Sequence, residues 1–289
     1  MVRFYYIKFD GMNNVKRILI TGANSYIGTS FEKYLKPYSD EYTVDTLDMI
    51  DVNWKEYDFS CYDTVFHVAG IAHRKETIEN AHLYYEVNRN LAYEVAKKSR
   101  RSGVKQFVFL SSMSIYGMNT GVITKDTIPS PKTHYGKSKL QAENAIKKLS
   151  DDKFKVVILR PPMVYGKDCK GNYQLLRKFA VSVPFFPDYC NERSMIYIGN
   201  LCEFVKQIID NEKQGEFCPQ NADYVSTSDM VKLIADINGK DIKLVSAFNP
   251  FIKVIPISVL DKVFGTLIYD KTDVVDKYGF EDSVLLTES

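Results

Sequence analysis

Tyr135 and Lys139 stand four residues apart, so on a helix they share one face, where an ammonium stabilises a phenolate by charge. A tyrosine so placed can act as a base. Free tyrosine titrates near ~10, whereas proton transfer to or from a hydroxyl needs a group whose pKa approaches the working pH, and Lys139 would supply that shift. Upstream, Ser112 follows the apolar run Phe107-Val108-Phe109-Leu110. Ligands of open α/β sheets bind beyond the carboxyl ends of strands, which is where that run puts Ser112. The same tyrosine–lysine spacing recurs at Tyr93 and Lys97 in a chain with 20 tyrosines, but there Val87, Leu91 and Val95 make an apolar helix stripe and no serine precedes it. Tyr93 is therefore read as packing or surface.

A glycine turn, Thr21-Gly22-Ala23-Asn24-Ser25-Tyr26-Ile27-Gly28, lies ahead of all of these residues. With the Ser112 run and the Tyr135/Lys139 pair, it reads as a redox site on a dinucleotide-binding fold. The elements that must position such a site are legible as an alternation. Arg17-Ile18-Leu19-Ile20 is a buried first strand, followed by the turn and a helix with Ile27, Phe31, Tyr34 and Leu35 at helical spacing. Strands follow at Tyr42 to Asp48, Thr64 to Ala69, Gln106 to Leu110 and Lys155 to Leu159, with helical patterns between most of them. That order predicts an α/β fold, a doubly wound parallel sheet with helices on both faces. Only 14 residues separate Asp48 from Asp63, so a βα unit is trimmed there. Leu201, Phe204, Val205, Ile208 and Ile209 predict one amphipathic helix; Met230, Leu233, Ile234 and Ile237 predict another, opened by the capping residues Ser226-Thr227-Ser228-Asp229.

The chain of 289 residues, 45% hydrophobic, is long enough for one domain plus a lobe. The expected division is an N-terminal extension at 1–11, a dinucleotide-binding domain at 12–166 with 196–221 packing back on it, and a smaller substrate lobe from 167–195 and 222–289, which lack the strand–helix rhythm. Met12 is an alternative start. The 38 basic and 36 acidic residues are interspersed, which argues against a nucleic-acid surface or a membrane-binding face. There is no run of about 18 apolar residues to span a bilayer. Cys61, Cys169, Cys190, Cys202 and Cys218 are odd in number and without metal-type spacing, so no metal is expected, and reduced thiols in a cytoplasmic protein are the simplest account.

These motifs, taken in order, resemble the extended short-chain dehydrogenase/reductase proteins, in the NAD-dependent epimerase/dehydratase branch that acts on nucleotide sugars. The resemblance runs from about Arg17 to near Gly239 and also rests on Phe66-His67-Val68-Ala69-Gly70, Val87-Asn88, Ile115-Tyr116-Gly117, Leu159-Arg160-Pro161-Pro162-Met163-Val164-Tyr165-Gly166 and Arg193-Ser194-Met195-Ile196-Tyr197-Ile198. It implies that Ser112, Tyr135 and Lys139 are catalytic. It implies that Gly22, Asn24, Tyr26, Ile27 and Gly28 admit the pyrophosphate of NAD at a helix N-terminus. Ser25 occupies the usual middle glycine, which is tolerated only if the backbone there avoids positive φ. Asp48 would hold the adenosine ribose and favour NAD over NADP by charge, Asp51 and Val52 would cover the adenine, and Ala69, Gly70, Ala72, Asn88 and Pro162 would line the cofactor. His67 reads as a satisfied core histidine, His73 and Arg74 as a solvated loop, and Lys16 and Arg17 as solvated residues.

For the substrate, the resemblance implies Ser112, Ser114 and Met163 at the sugar, with Arg193 holding a diphosphate by bidentate hydrogen bonds. Arg193 is the last arginine of the chain, so a second phosphate-binding arginine nearer the C-terminus is missing. Met163 stands where 4-epimerases often carry asparagine, and Asn172 is the candidate replacement. A UDP-hexose 4-epimerase is the leading expectation, with Tyr135 taking the C4 hydroxyl proton to give a transient 4-keto sugar. Dehydration is disfavoured because Met113 and Ser114 occupy the places of an acidic pair. The alternatives are an NAD(P)H-dependent 4-ketoreductase in surface polysaccharide synthesis and a non-catalytic cofactor-sensing protein. A homodimer is compatible with the family.

Overall fold

The structure is a computed structural model that describes residues 15–72, 74–249 and 263–289. The extension at 1–11, the alternative start at Met12 and His73 lie outside the described residues. The alternation resolves into a parallel six-stranded sheet. Its strands include β1 (Lys16–Thr21), β2 (Tyr42–Leu47), β3 (Thr64–His67) and β4 (Gln106–Leu110), joined by Lys155–Leu159 and Gly215–Phe217. From one edge the order is Gly215–Phe217, Lys155–Leu159, β4, β3, β1, β2. The chain reverses direction across the sheet between β1 and β3, so the loops after those strands open a crevice at their carboxyl ends.

The central strands are near-continuous apolar runs because both faces are covered. Ile18, Ile20, Phe66, Val108 and Val157 point into a core shared with the first helix, Tyr26–Leu35, and with Ile198–Asp210. Leu19, Val65, Phe107, Phe109, Val156 and Ile158 face the opposite side, against Ala92–Arg101 and His134–Lys147. The predicted helix around Leu201 to Ile209 thus packs back on the sheet. β2 is an edge strand, and between it and β3 only the short 3-10 turn Val52–Lys55 intervenes, which is the trimmed unit the 14-residue gap predicts.

The segments 167–195 and 222–289 are more regular than expected. They contain the helices Asn172–Ser182, Thr227–Ile237 and Phe280–Glu288, and strands of only two or three residues. Those strands are too short to show a period in the sequence. The elements close over an aromatic-rich core containing Tyr165, Tyr173, Phe186, Met230 and Ile234. Ser226 caps Thr227–Ile237 by accepting from the Asp229 N–H at 2.9 Å, as its sequence predicts.

Candidate active site

The glycine turn lies at the carboxyl end of β1. Gly22 and Ala23 N–H both donate to Leu47 O of β2, at 2.9 and 3.1 Å, which folds the chain back sharply. Gly22 adopts φ +121°, and a Cβ there would stand 2.7 Å from Ala69 N, so only glycine fits between the turn and the loop after β3. The left-handed residue is Asn24 (φ 63°), not Ser25. Ser25 is extended (φ −73°, ψ 144°) and its Oγ caps the first helix by accepting from Gly28 N–H at 3.2 Å. The serine therefore serves as an N-cap where a glycine is usual, with no strain. Asn24, Tyr26 and Ile27 N–H have no acceptor among the described residues, and they stand at the positive end of the helix. That donor set fits a pyrophosphate. A Cβ on Gly28 would stand 3.0 Å from both Ile20 and Val68 side chains, so this glycine lets the helix lie close on the sheet.

Asp48 follows β2 with an exposed carboxylate, one oxygen of which accepts from Ile50 N–H at 2.9 Å. Asp51 spends its Oδ1 on Asn53 N–H, capping the 3-10 turn that Val52 opens. Arg17 is exposed, as expected, whereas Lys16 is partly buried. Lys16 Nζ donates to the last carbonyls of the helix Ile198–Asp210, and Arg17 lies over the Tyr62 ring. His67 is fully buried, pairs through Nδ1 with Thr21 Oγ1 at 2.8 Å and leaves Nε2 without a partner, so it is only half satisfied. Burial and the neighbouring Lys139 charge push its pKa down to about 3, which keeps the ring neutral.

After β3 the loop carries Ala69, Gly70 and Ala72, with Ala69 buried and the other two exposed. Asn88, fully buried within a π-helical segment, clamps that loop. Its Oδ1 accepts from Ile71 N–H (2.7 Å), and its Nδ2 donates to Ile71 O (3.0 Å) and Ser138 Oγ (3.3 Å). A Cβ on Gly70 would stand 2.9 Å from Asn88 Oδ1 and 3.3 Å from Lys139 Nζ. The loop and the helix His134–Lys147 therefore touch at the lysine.

Ser112 follows the end of β4 and Tyr135 opens the helix that packs against it. Gly136 makes the approach close, since a Cβ there would lie 2.6 Å from Ser114 O. Lys139, 4% exposed, donates from Nζ to Leu110 O at 2.8 Å and sits 4.7 Å over the Phe109 ring. Burial lowers its pKa to about 8. Ser112 Oγ accepts from Ser114 N–H and contacts Ser114 Oγ, both at 3.1 Å. Burial raises the Tyr135 pKa above its ordinary value, and nearby Ser112 only partly offsets it. Lys139 Nζ makes no hydrogen bond to the Tyr135 phenol among the described residues and donates to Leu110 O instead.

The remaining residues lie toward the smaller core. Pro162 is buried, and Met163 opens the strand Met163–Tyr165, which pairs with Met195–Tyr197. Arg193 is half-buried and donates through Nη1 to Gly265 O at 2.7 Å. It has no carboxylate partner among the described residues, and burial lowers its pKa. Asn172 is the exposed first residue of Asn172–Ser182. The site also includes residues with no local signature. Thr133 caps the helix His134–Lys147 by accepting from Gly136 N–H at 3.0 Å, and Glu76 accepts from His134 and Tyr135 N–H at 2.9 Å each. Glu76 is 59 residues from Tyr135, so no spacing rule reaches it.

A parallel sheet with a phosphate-type turn after β1, and with a serine and a tyrosine–lysine helix beyond β4, defines a dinucleotide-dependent α/β protein. The family model for the NAD dependent epimerase/dehydratase family matches residues 18–218, and the chain belongs to that family. It is 31% identical to UDP-glucose 4-epimerase of Vibrio cholerae, over 91% of this chain and 85% of that protein. It is 28% identical to N-acetyl-alpha-D-glucosaminyl-diphospho-ditrans,octacis-undecaprenol 4-epimerase of Escherichia coli O157:H7, over 76% of this chain and 71% of that protein. The fold is shared with UDP-glucuronic acid 4-epimerase from Bacillus cereus in complex with NAD, at a TM-score of 0.73 and 18% identity, covering 94% and 95% of the two chains. The family's cofactor is NAD. No helix among the described residues is long and apolar enough to cross a membrane.

Proposed function

We propose that the protein is a nucleotide-sugar 4-epimerase, with UDP-hexoses (glucose and galactose or their N-acetyl forms) as substrates, working in the cytoplasm. The observation that carries this reading is Ser112 just beyond β4, with Tyr135 on the helix that Gly136 brings against the Ser114 segment and buried Lys139 one turn on, together with the lack of an acid at Met113 and Ser114. The two named relatives are both 4-epimerases and differ in the carrier of the sugar, which supports the reaction more strongly than the carrier.

In this reading the free amides of Asn24, Tyr26 and Ile27 hold the pyrophosphate, Asp48 takes the ribose hydroxyls, and Asn88 and Gly22 fix the loop with Ala69, Gly70 and Ala72 along the cofactor. Bound NAD supplies a hydride acceptor that returns the hydride to the opposite face of the sugar. Tyr135 removes the C4 hydroxyl proton and Ser112 orients that hydroxyl. Because burial raises the phenol in the free protein, its activation requires positive charge brought close to it. Lys139 anchors the strand end and holds the cofactor ribose. Arg193, half-buried and without a carboxylate, receives the substrate diphosphate. The segments 167–195 and 222–289 form the substrate lobe, with Met163 and Asn172 facing the sugar.

The test is to release the nucleotide that copurifies with the protein, identify it by mass, and assay UDP-glucose, UDP-galactose and their acetamido forms. Tightly held NAD with interconversion at C4 is the expected result. An empty site that exchanges NADPH and reduces a 4-keto sugar without epimerising would replace this reading with the ketoreductase.

A further inference from the structure

Of the four N–H groups that open the helix His134–Lys147, two are satisfied locally: Gly136 by Thr133 Oγ1 at 3.0 Å and Lys137 by Thr133 O at 2.9 Å. The other two, on His134 and Tyr135, both go to one carboxylate from a distant segment, Glu76, at 2.9 Å each. That segment is itself held in shape. Thr77 N–H donates to Asn80 Oδ1 (2.9 Å), Asn80 N–H to Thr77 Oγ1 (3.3 Å) and Asn80 Nδ2 to Lys75 O (3.0 Å), while Tyr84 OH donates to Arg74 O (3.1 Å). A carboxylate at a helix N-terminus is also favoured by the helix dipole. Glu76 is thus the far end of a preorganised turn, and it grips the residue that bears the phenol.

We propose that Glu76 is a positioning residue for the reaction: its bidentate grip on the first turn of the catalytic helix sets Tyr135 against Ser112. This rests on reading Tyr135 as the proton-transfer group. Lys139 lies one turn deeper and is pinned independently to Leu110 O. Loss of the grip therefore loosens Tyr135 while leaving Lys139, and with it the cofactor site, in place.

The test uses the full chain with its bound cofactor. Glu76→Ala should lower kcat by about 10- to 100-fold, the range expected when a reacting group is displaced by about 1 Å. KM for the sugar and the NAD content should change by less than about threefold, because only the first turn is loosened. Acetate on the order of 0.1 M should restore part of kcat in this variant by occupying the vacated helix terminus, whereas chloride at equal ionic strength should not. Glu76→Asp should retain an intermediate kcat. Independently of turnover, hydrogen exchange at the amides of 134 and 135 should speed up by more than about tenfold in Glu76→Ala while the central strands keep their protection. A kcat within twofold of wild type overturns the proposal. So does a joint fall of kcat, NAD content and global protection with no response to acetate, which makes Glu76 a fold-holding residue. If the wild type turns over no sugar, the functional reading fails on its own. The exchange arm still decides the grip, since unchanged exchange at Tyr135 in Glu76→Ala overturns it.

Discussion

Two tyrosine–lysine pairs with identical spacing sit in this chain, and they have opposite surroundings. Lys97 is 35% exposed, pairs with Glu94 at 3.5 Å and lies 5.9 Å from the centre of the Tyr93 ring, on the outward side of a helix that covers the sheet. Lys139 is 4% exposed, bonds to a strand-end carbonyl and has pushed its pKa down to about 8. Tyr93 packs against the core, whereas Tyr135 opens a helix set close against the serine segment beyond β4. The spacing contributes the shared helix face in both cases; the strand end, the close approach at Gly136 and the burial make only one of them a candidate for chemistry. The exposed pair is worth a few tenths of a kcal/mol at most.

The largest expected contrast comes from removing the two hydroxyls. Tyr135→Phe should lower kcat by about 10³-fold with cofactor still bound, and Tyr93→Phe should leave kcat within twofold; steady-state kinetics on both variants checks it, and equal behaviour would erase the distinction. Next is the carboxylate one turn beyond Lys139. Glu143 is fully buried, pairs with Arg160 at 2.7 Å and accepts from Ser111 Oγ, so Glu143→Ala leaves a buried guanidinium with the half-exposed Glu216 as its remaining carboxylate, beside the Tyr116 hydroxyl. A loss of about 3–5 kcal/mol in denaturant unfolding is expected, against none for Glu94→Ala.

A smaller effect is expected at Gly136. Its replacement by alanine places a Cβ 2.6 Å from Ser114 O, so the helix must retreat from the serine segment. That should cost about 1–3 kcal/mol and lower kcat more than it raises KM, as unfolding and kinetics on the same variant would reveal.

The last contrast is a pH dependence. The folded pKa of Lys139 lies below its ordinary value, so between about 8 and 10.5 the unfolded chain binds the extra proton. Wild-type stability should therefore gain from this group as pH rises through that window, and below pH 8 the full cost of burying the ammonium is present. Lys139→Met removes that cost. Its stability relative to wild type should be greatest near pH 7 and shrink toward pH 10, while Lys97→Met shows no such trend; melting temperatures at several pH values decide it.

The long central strands were readable because they are buried on both faces and so are written as apolar runs, Arg17 to Ile20, Phe107 to Leu110 and Lys155 to Leu159 among them. The shortened unit after Asp48 was readable from chain length alone. The helices Asn172–Ser182 and Phe280–Glu288 were not, since the two- and three-residue strands around them carry no period and gain their partners only from distant segments. Ser25 was legible as a departure from the usual glycine, and its extended backbone follows from what a serine tolerates.

Sequence by itself determined the local chemistry of this protein: a glycine-bearing turn before a helix, a serine at a strand end, and a tyrosine and lysine on one helix face, all set by short-range sterics and a fixed period. Tertiary structure decided which of two equal pairs is buried, that Lys139 is held by Leu110 O rather than by the phenol, and that Glu76 closes the first turn of the helix bearing Tyr135. Desolvation and hydrogen-bond satisfaction depend on every atom that approaches in space, and groups 59 residues apart in the chain have no pattern that announces their meeting.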